Sequence, residues 1–109
     1  MGVSRTDLFD LEQNAIAQLA RIFSHPARIA ILQYLAESKT CINNDLVTHL
    51  GLAQPTVSQH LRELKLAGLI KGNIEGNSVY YCIDINNWKN AKSVFNQLFE
   101  LINVDKDLC

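Results

Sequence analysis

Residues 51–70, GLAQPTVSQHLRELKLAGLI, constrain this chain more than any other stretch. They follow a short helical pattern, Asn43 to Leu50, and Gly51 marks a turn between the two. Pro55 then falls in the first turn of a new helix, where its missing N–H is no loss. Val57, Leu61, Leu64 and Gly68 recur at helical spacing on one face. The opposite face carries Pro55, Ser58, Gln59 and Arg62, short or planar hydrogen-bonding groups rather than a block of charge. Two short helices joined by a glycine turn, the second polar outward, predict a helix-turn-helix. Gln and Arg are the side chains that pair with adenine and guanine edges in a major groove.

Two β-rich runs come next, Leu69 to Ile74 and Ser78 to Asp84, flanking a turn-forming tip Glu75-Gly76-Asn77. The predicted class is therefore mostly α with a small β-hairpin, a winged helix-turn-helix. The order SHPARIAILQYL (24–35) and GLAQPTVSQHLRELKLAGLIKGNIEGNSVYYCI (51–83) resembles the ArsR/SmtB family of bacterial repressors, over roughly residues 10–104. That resemblance implies a small homodimer that leaves its DNA operator when an inducer, often a metal or metalloid ion, binds.

A chain of 109 residues predicts one domain over 1–109 with a single modest core. At 48% hydrophobic and 19% charged it reads as an ordinary folded protein. No apolar run approaches the ~20 residues that span a bilayer, and no secretory signal opens it. Three cysteines, an odd number without framework spacing, suit a reducing cytoplasm better than a disulfide scaffold. Ten Lys and Arg against eleven Asp and Glu leave a net charge of −1. Between 43 and 83, Arg62, Lys65 and Lys71 balance Asp45, Glu63 and Glu75. Non-specific attraction to phosphate is then weak, whereas specific contacts through hydroxyls, backbone N–H groups and helix ends remain open.

Helical periodicity predicts a first helix from about Thr6 to Phe23, striped by Leu8, Leu11, Ala15, Leu19 and Ile22. A second runs from Pro26 to near Ser38 with Ile29, Leu32 and Leu35 inward; a third covers Asn43 to Leu50 and a fourth Gln54 to Ala67. The last spans about Asn86 to Val104, with Trp88, Ala91, Phe95, Leu98 and Ile102 on one stripe and Val94, Phe99 and Leu101 widening it. The terminal helices carry more apolar surface than so short a core absorbs, and they are expected to pair with a second copy.

On the resemblance, Gln54, Pro55, Ser58 and Gln59 are expected to face the major groove, with Thr56 and Arg62 at the margins reaching phosphates. Ala53 stands where relatives commonly have Ser or Thr, which removes a helix N-cap worth about 1 kcal/mol. His60, between the polar face and the apolar stripe, is expected to be half-buried and bonded to local backbone. In the wing, Lys71 and Asn73 are placed opposite Ile70 and Ile74, and Asn77 and Ser78 at the tip offer minor-groove contacts.

The resemblance also implies an inducer site, either paired cysteines at the start of the third helix or an Asp-and-His set along the last one. Here Cys41 stands alone in TCINNDL, with Asn43 where a close second thiolate would be, and the last helix has no histidine. No metal site or other cofactor is predicted. Cys41 and the terminal Cys109 form the candidate sensor pair, and Cys82 reads as a small packed residue. Catalysis is not expected, because His25, His49 and His60 lie in three segments without a phosphate loop or a spaced carboxylate pair. The alternative to a DNA-binding regulator is a winged helix used only for protein contacts, which the neutral charge and Glu75 favour and the polar set at 54, 58 and 59 opposes.

Overall fold

The computed structural model describes residues 6–38, 41–42 and 45–102. A 3-10 turn, Thr6–Leu8, leads into α1 (Leu11–Ile22), α2 (Pro26–Glu37), α3 (Asp45–Leu50), α4 (Gln54–Leu66), β1 (Ile70–Glu75), β2 (Ser78–Ile83) and α5 (Ile85–Phe99). The predicted first helix is thus broken at Phe9–Asp10. The cause is local: the Asp10 carboxylate accepts from the Gln13 N–H at 2.7 Å, and the Gln13 side chain accepts from the Asp10 N–H at 3.0 Å. That reciprocal capping box starts a new helix whatever the apolar periodicity upstream. The predicted start of the third helix at Asn43 and the end of the last at Val104 lie outside the described residues, and α5 stops at Phe99.

The core gathers Ile31, Leu32 and Leu35 from α2, Leu46 from α3, Val57, Leu61 and Leu64 from α4, Leu69, Ile70, and Ala91 from α5. Ile31, not Ile29, is the fully buried isoleucine of α2. Burying an aliphatic side chain of this size contributes about 1.5–3 kcal/mol, so this cluster fixes how α2, α3 and α4 cross.

Gly51 makes the turn between α3 and α4 with φ 69°, a backbone state that costs a side-chain-bearing residue about 1–2 kcal/mol. At the far end of α4, Gly68 is not part of the helix stripe as predicted. It sits just past the C-cap with φ 82°, its N–H donating to the Lys65 carbonyl at 3.0 Å and the Leu69 N–H to the Leu64 carbonyl at 3.1 Å. This is a Schellman closure, and buried Leu69 is its hydrophobic anchor. The Asn87 side chain donates to the Gly68 carbonyl at 2.8 Å, tying the start of α5 to this corner, while Asp84 caps α5 through the Asn87 N–H at 3.1 Å.

The two strands pair antiparallel from Ile70↔Ile83 to Glu75↔Ser78. Glu75 therefore belongs to the ladder, and the tip is the two-residue turn Gly76-Asn77. A third segment joins at the base: Ile42 and Tyr81 exchange both backbone hydrogen bonds, at 3.0 and 2.8 Å. Residues 41–42 thus run alongside β2, which brings the wing against a part of the chain ahead of α3.

Candidate nucleic-acid interface

The exposed side of α4 carries the predicted recognition set. Gln54, Pro55, Thr56, Ser58, Gln59 and Arg62 are all exposed, while Val57, Leu61 and Leu64 are buried beneath them. One helical period explains both, since 57, 61 and 64 repeat at i+4 and i+3 and leave 58, 59 and 62 outward. Ala53 is the N-cap and supplies no side-chain hydrogen bond, as its methyl group dictates. Two of the polar groups are held by each other, the Gln54 amide donating to the Ser58 hydroxyl at 2.8 Å. The Gln59 amide donates to the Glu63 carboxylate at 3.2 Å. Such exposed bonds hold the side chains in place yet exchange at small net cost, about 1 kcal/mol each.

In the wing, Lys71, Asn73 and Asn77 are exposed and Ser78 is half-buried. Ile70 is buried at 2% exposure, but Ile74, predicted to share its covered side, is 78% exposed. The hairpin projects past the body, so its outer half has nothing to pack on. The Asn73 amide donates to the Cys82 sulfur at 3.8 Å.

His60 is half-buried as expected, but its partner is not local backbone. Nδ1 accepts from the Arg28 guanidinium Nε at 3.1 Å, across from α2. Arg28 itself is buried at 9% exposure, and its Nη1 donates to the Ile22 carbonyl at 3.4 Å. Burial, then the Arg28 cation, then neighbouring His25 hold the His60 pKa below its ordinary 6.5. His25 and His60 approach to 5.7 Å between ring centres, whereas His49 lies against Tyr34 at 4.1 Å. The rings stand in two places, and among the described residues no group of three or more His, Cys, Asp or Glu is arranged to hold a metal ion.

The cysteines correct the sequence reading most. Cys41 is not a free thiol waiting for Cys109, which lies outside the described residues, and Cys82 is not merely packed. Cys41 and Cys82 form a disulfide with Cα atoms 4.8 Å apart. They stand opposite one another one step along from the Ile42↔Tyr81 pair, in the close, non-hydrogen-bonded position of an antiparallel ladder. Sequence reasoning missed this pair, and also Arg28, which bears on the recognition helix through His60.

A polar-faced second helix, its glycine turn and a wing at its C-terminal end define a winged helix-turn-helix regulator. Residues 25–71 match the family model described as bacterial regulatory protein, arsR family. The chain is 30% identical over 97 residues to the HTH-type transcriptional regulator CmtR of Mycobacterium bovis, covering 89% of this chain and 81% of that one. It is 44% identical over 68 residues to the HTH-type transcriptional repressor SmtB of Mycobacterium tuberculosis, covering 62% of this chain but only 50% of SmtB, about half its length. Among solved structures, the transcriptional repressor BigR from Xylella fastidiosa superposes with a TM-score of 0.63 at 26% identity, over 94% of this chain and 99% of that one. The chain belongs to the arsR family. These relatives are named as transcriptional regulators or repressors, not enzymes. Among the described residues no helix is long and apolar enough to cross a membrane.

Proposed function

We propose that this chain is a cytoplasmic transcriptional repressor, a single domain acting as a homodimer on a pseudo-palindromic operator. The observation that carries the reading is the exposed polar face of α4, with a buried apolar face beneath it and the wing beside it. Gln54, Pro55, Ser58 and Gln59 read base edges in one major groove, and Thr56 and Arg62 hold flanking phosphates. Lys71, Asn73, Asn77 and Ser78 contact the adjoining backbone or minor-groove edge. A second copy places its α4 in the next major groove, with half-sites about one helical turn apart. Of the metal, metalloid and thiol-directed signals open to such a regulator, the thiol-directed one has a chemical handle, Cys41 and Cys82.

The test is selection from random DNA followed by affinity measurement. Replacing Ser58 and Gln59 together with Ala weakens binding to the selected sequence by about 1–3 kcal/mol for each base edge no longer read. Affinity for unselected DNA changes little. A double variant that holds the selected sequence as tightly as wild type refutes the groove assignment. The protein-docking alternative draws on exposed Leu66 and Ile74, at 77% and 78%; wild type selecting no sequence at all would favour it.

A further inference from the structure

We propose that Cys41 and Cys82 form a reversible redox site, closed by a hydroperoxide and opened by a dithiol, and that the closed form holds the operator more tightly. The inference rests on the operator-binding reading above and adds to it the signal class, the reacting atoms and the direction of the effect.

The placement supports the chemistry. The Ile42–Tyr81 bonds, 3.0 and 2.8 Å, are backbone bonds and need no disulfide, so they hold the two cysteines opposite each other when both are thiols. The Asn73 amide donates to the Cys82 sulfur at 3.8 Å, and this neighbouring donor singles out Cys82 as the attacking sulfur. Both cysteines are half-exposed and border a cleft of about 330 Å³ walled by Leu35, Ile83, Ile85 and Trp88. A small or apolar oxidant therefore reaches them from solvent.

The steps balance. The Cys82 thiolate attacks the terminal oxygen of the hydroperoxide; an S–O bond forms, the O–O bond breaks, and the departing alkoxide takes a proton to leave as the alcohol. The Cys41 sulfur then attacks the Cys82 sulfenic acid; the S–S bond forms, the S–O bond breaks, and hydroxide leaves as water with the Cys41 proton. Two thiols lose two electrons in all, and the hydroperoxide gains them. A dithiol reverses the change by exchange, through a mixed disulfide that its second thiol resolves.

What the bond encloses gives the direction. The cysteines are 41 positions apart, and between them lie α3, α4, β1 and most of β2, the whole proposed reading unit. Closed, the segment entering α3 is tied covalently to the wing. Open, this crossing depends on the Ile42–Tyr81 bonds, and the wing moves more freely against α4. Binding that needs both elements in fixed relation costs less ordering when they are tied beforehand. By reciprocity, DNA then favours the closed form.

The experiment compares wild type with Cys41→Ser and Cys82→Ser, each reduced with a dithiol or treated with hydrogen peroxide or cumene hydroperoxide. Alkylation followed by mass spectrometry reads the bond, melting reads the fold, and titration with selected DNA reads affinity. Treated wild type is expected to show a 41–82 disulfide and to melt roughly 10 °C or more above the reduced form. It is expected to bind the selected DNA at least about fivefold more tightly, the low end of typical coupling. Both variants should form no 41–82 disulfide and should melt and bind DNA like reduced wild type, with Cys41→Ser stopping at the Cys82 sulfenic acid and Cys82→Ser lacking the attacking sulfur. A disulfide that forms without changing affinity, or that weakens it, overturns the regulatory claim. A pair that stays reduced overturns the site. Failure of every form to select DNA would sink the repressor reading instead, while alkylation and melting still decide the redox chemistry.

Discussion

Arg28 shows how one side chain shapes the recognition element from behind. Its charged head is buried between α1, α2 and α4, where only hydrogen bonds offset the loss of water. His60 Nδ1 and the Ile22 carbonyl supply them. For Nδ1 to accept, His60 must be unprotonated at that atom, and burial and the Arg28 cation both favour the neutral ring. Because the folded pKa lies below 6.5, the unfolded chain binds the proton more readily. The stabilisation is thus complete above 6.5 and is lost as pH falls below that value toward the folded pKa. Denaturation from about pH 7.5 to about pH 5.5 should show falling stability, and His60→Gln should flatten part of that slope. A slope unchanged in the variant would show that His60 does not couple to folding. Arg28 lies on the same helical stripe as Ile31, Leu32 and Leu35, but a charged residue on an apolar face reads as a margin until its partner is seen.

Among the elements, α4 owes its register to its ends as much as to its stripe. Gly68 combines a positive φ with crowding: a Cβ there would stand 2.9 Å from the Asn87 amide nitrogen, whose bond to the Gly68 carbonyl ties α4 to α5. At Gly51 a Cβ would meet nothing within 4 Å. Gly51→Ala is expected to cost about 1–2 kcal/mol, from the backbone alone. Gly68→Ala should exceed that by about 1 kcal/mol, because the Asn87 bond must also shift. Equal costs in urea denaturation would show that Asn87 gives way freely.

The sequence made α4 and the hairpin legible because their periods and turn residues are local. The break at Asp10 was legible too, in the spacing Asp10-x-x-Gln13, but the apolar period of Leu8, Leu11 and Ala15 outweighed it. The Cys41–Cys82 pair was not. It depends on a backbone crossing between segments 41 positions apart, and no local pattern encodes that meeting. Likewise the polar face of α4 could be read outward from spacing, while the internal bonds Gln54–Ser58 and Gln59–Glu63 needed rotamers that spacing does not fix.

At the scale of the molecule, α1 and α5 pack on each other through Phe23, edge-on to Trp88 and Phe95 at 6.2 and 5.7 Å. Outside that contact the pair remains bare. Leu8, Leu11, Phe99, Leu101 and Ile102 are all more than half exposed, and among described residues α1 buries none of its own. The expectation of surplus apolar surface at both ends of the chain is met, and a second copy is the proposed cover. Leu98→Glu with Phe99→Glu is expected to leave the fold intact and to shift a micromolar dimer toward monomer in sedimentation, with operator binding abolished. Full dimerisation of that variant would move the interface elsewhere.

Those bare side chains set how the proposed repressor answers to its own abundance. If two protomers must meet before either grips its half-site, occupancy below the association midpoint rises with the square of protein concentration. Halving synthesis then empties the operator about fourfold rather than twofold. Leu98, Phe99, Leu101 and Ile102 would thus give the gene a dosage threshold, written in hydrophobic area rather than in any residue that touches DNA.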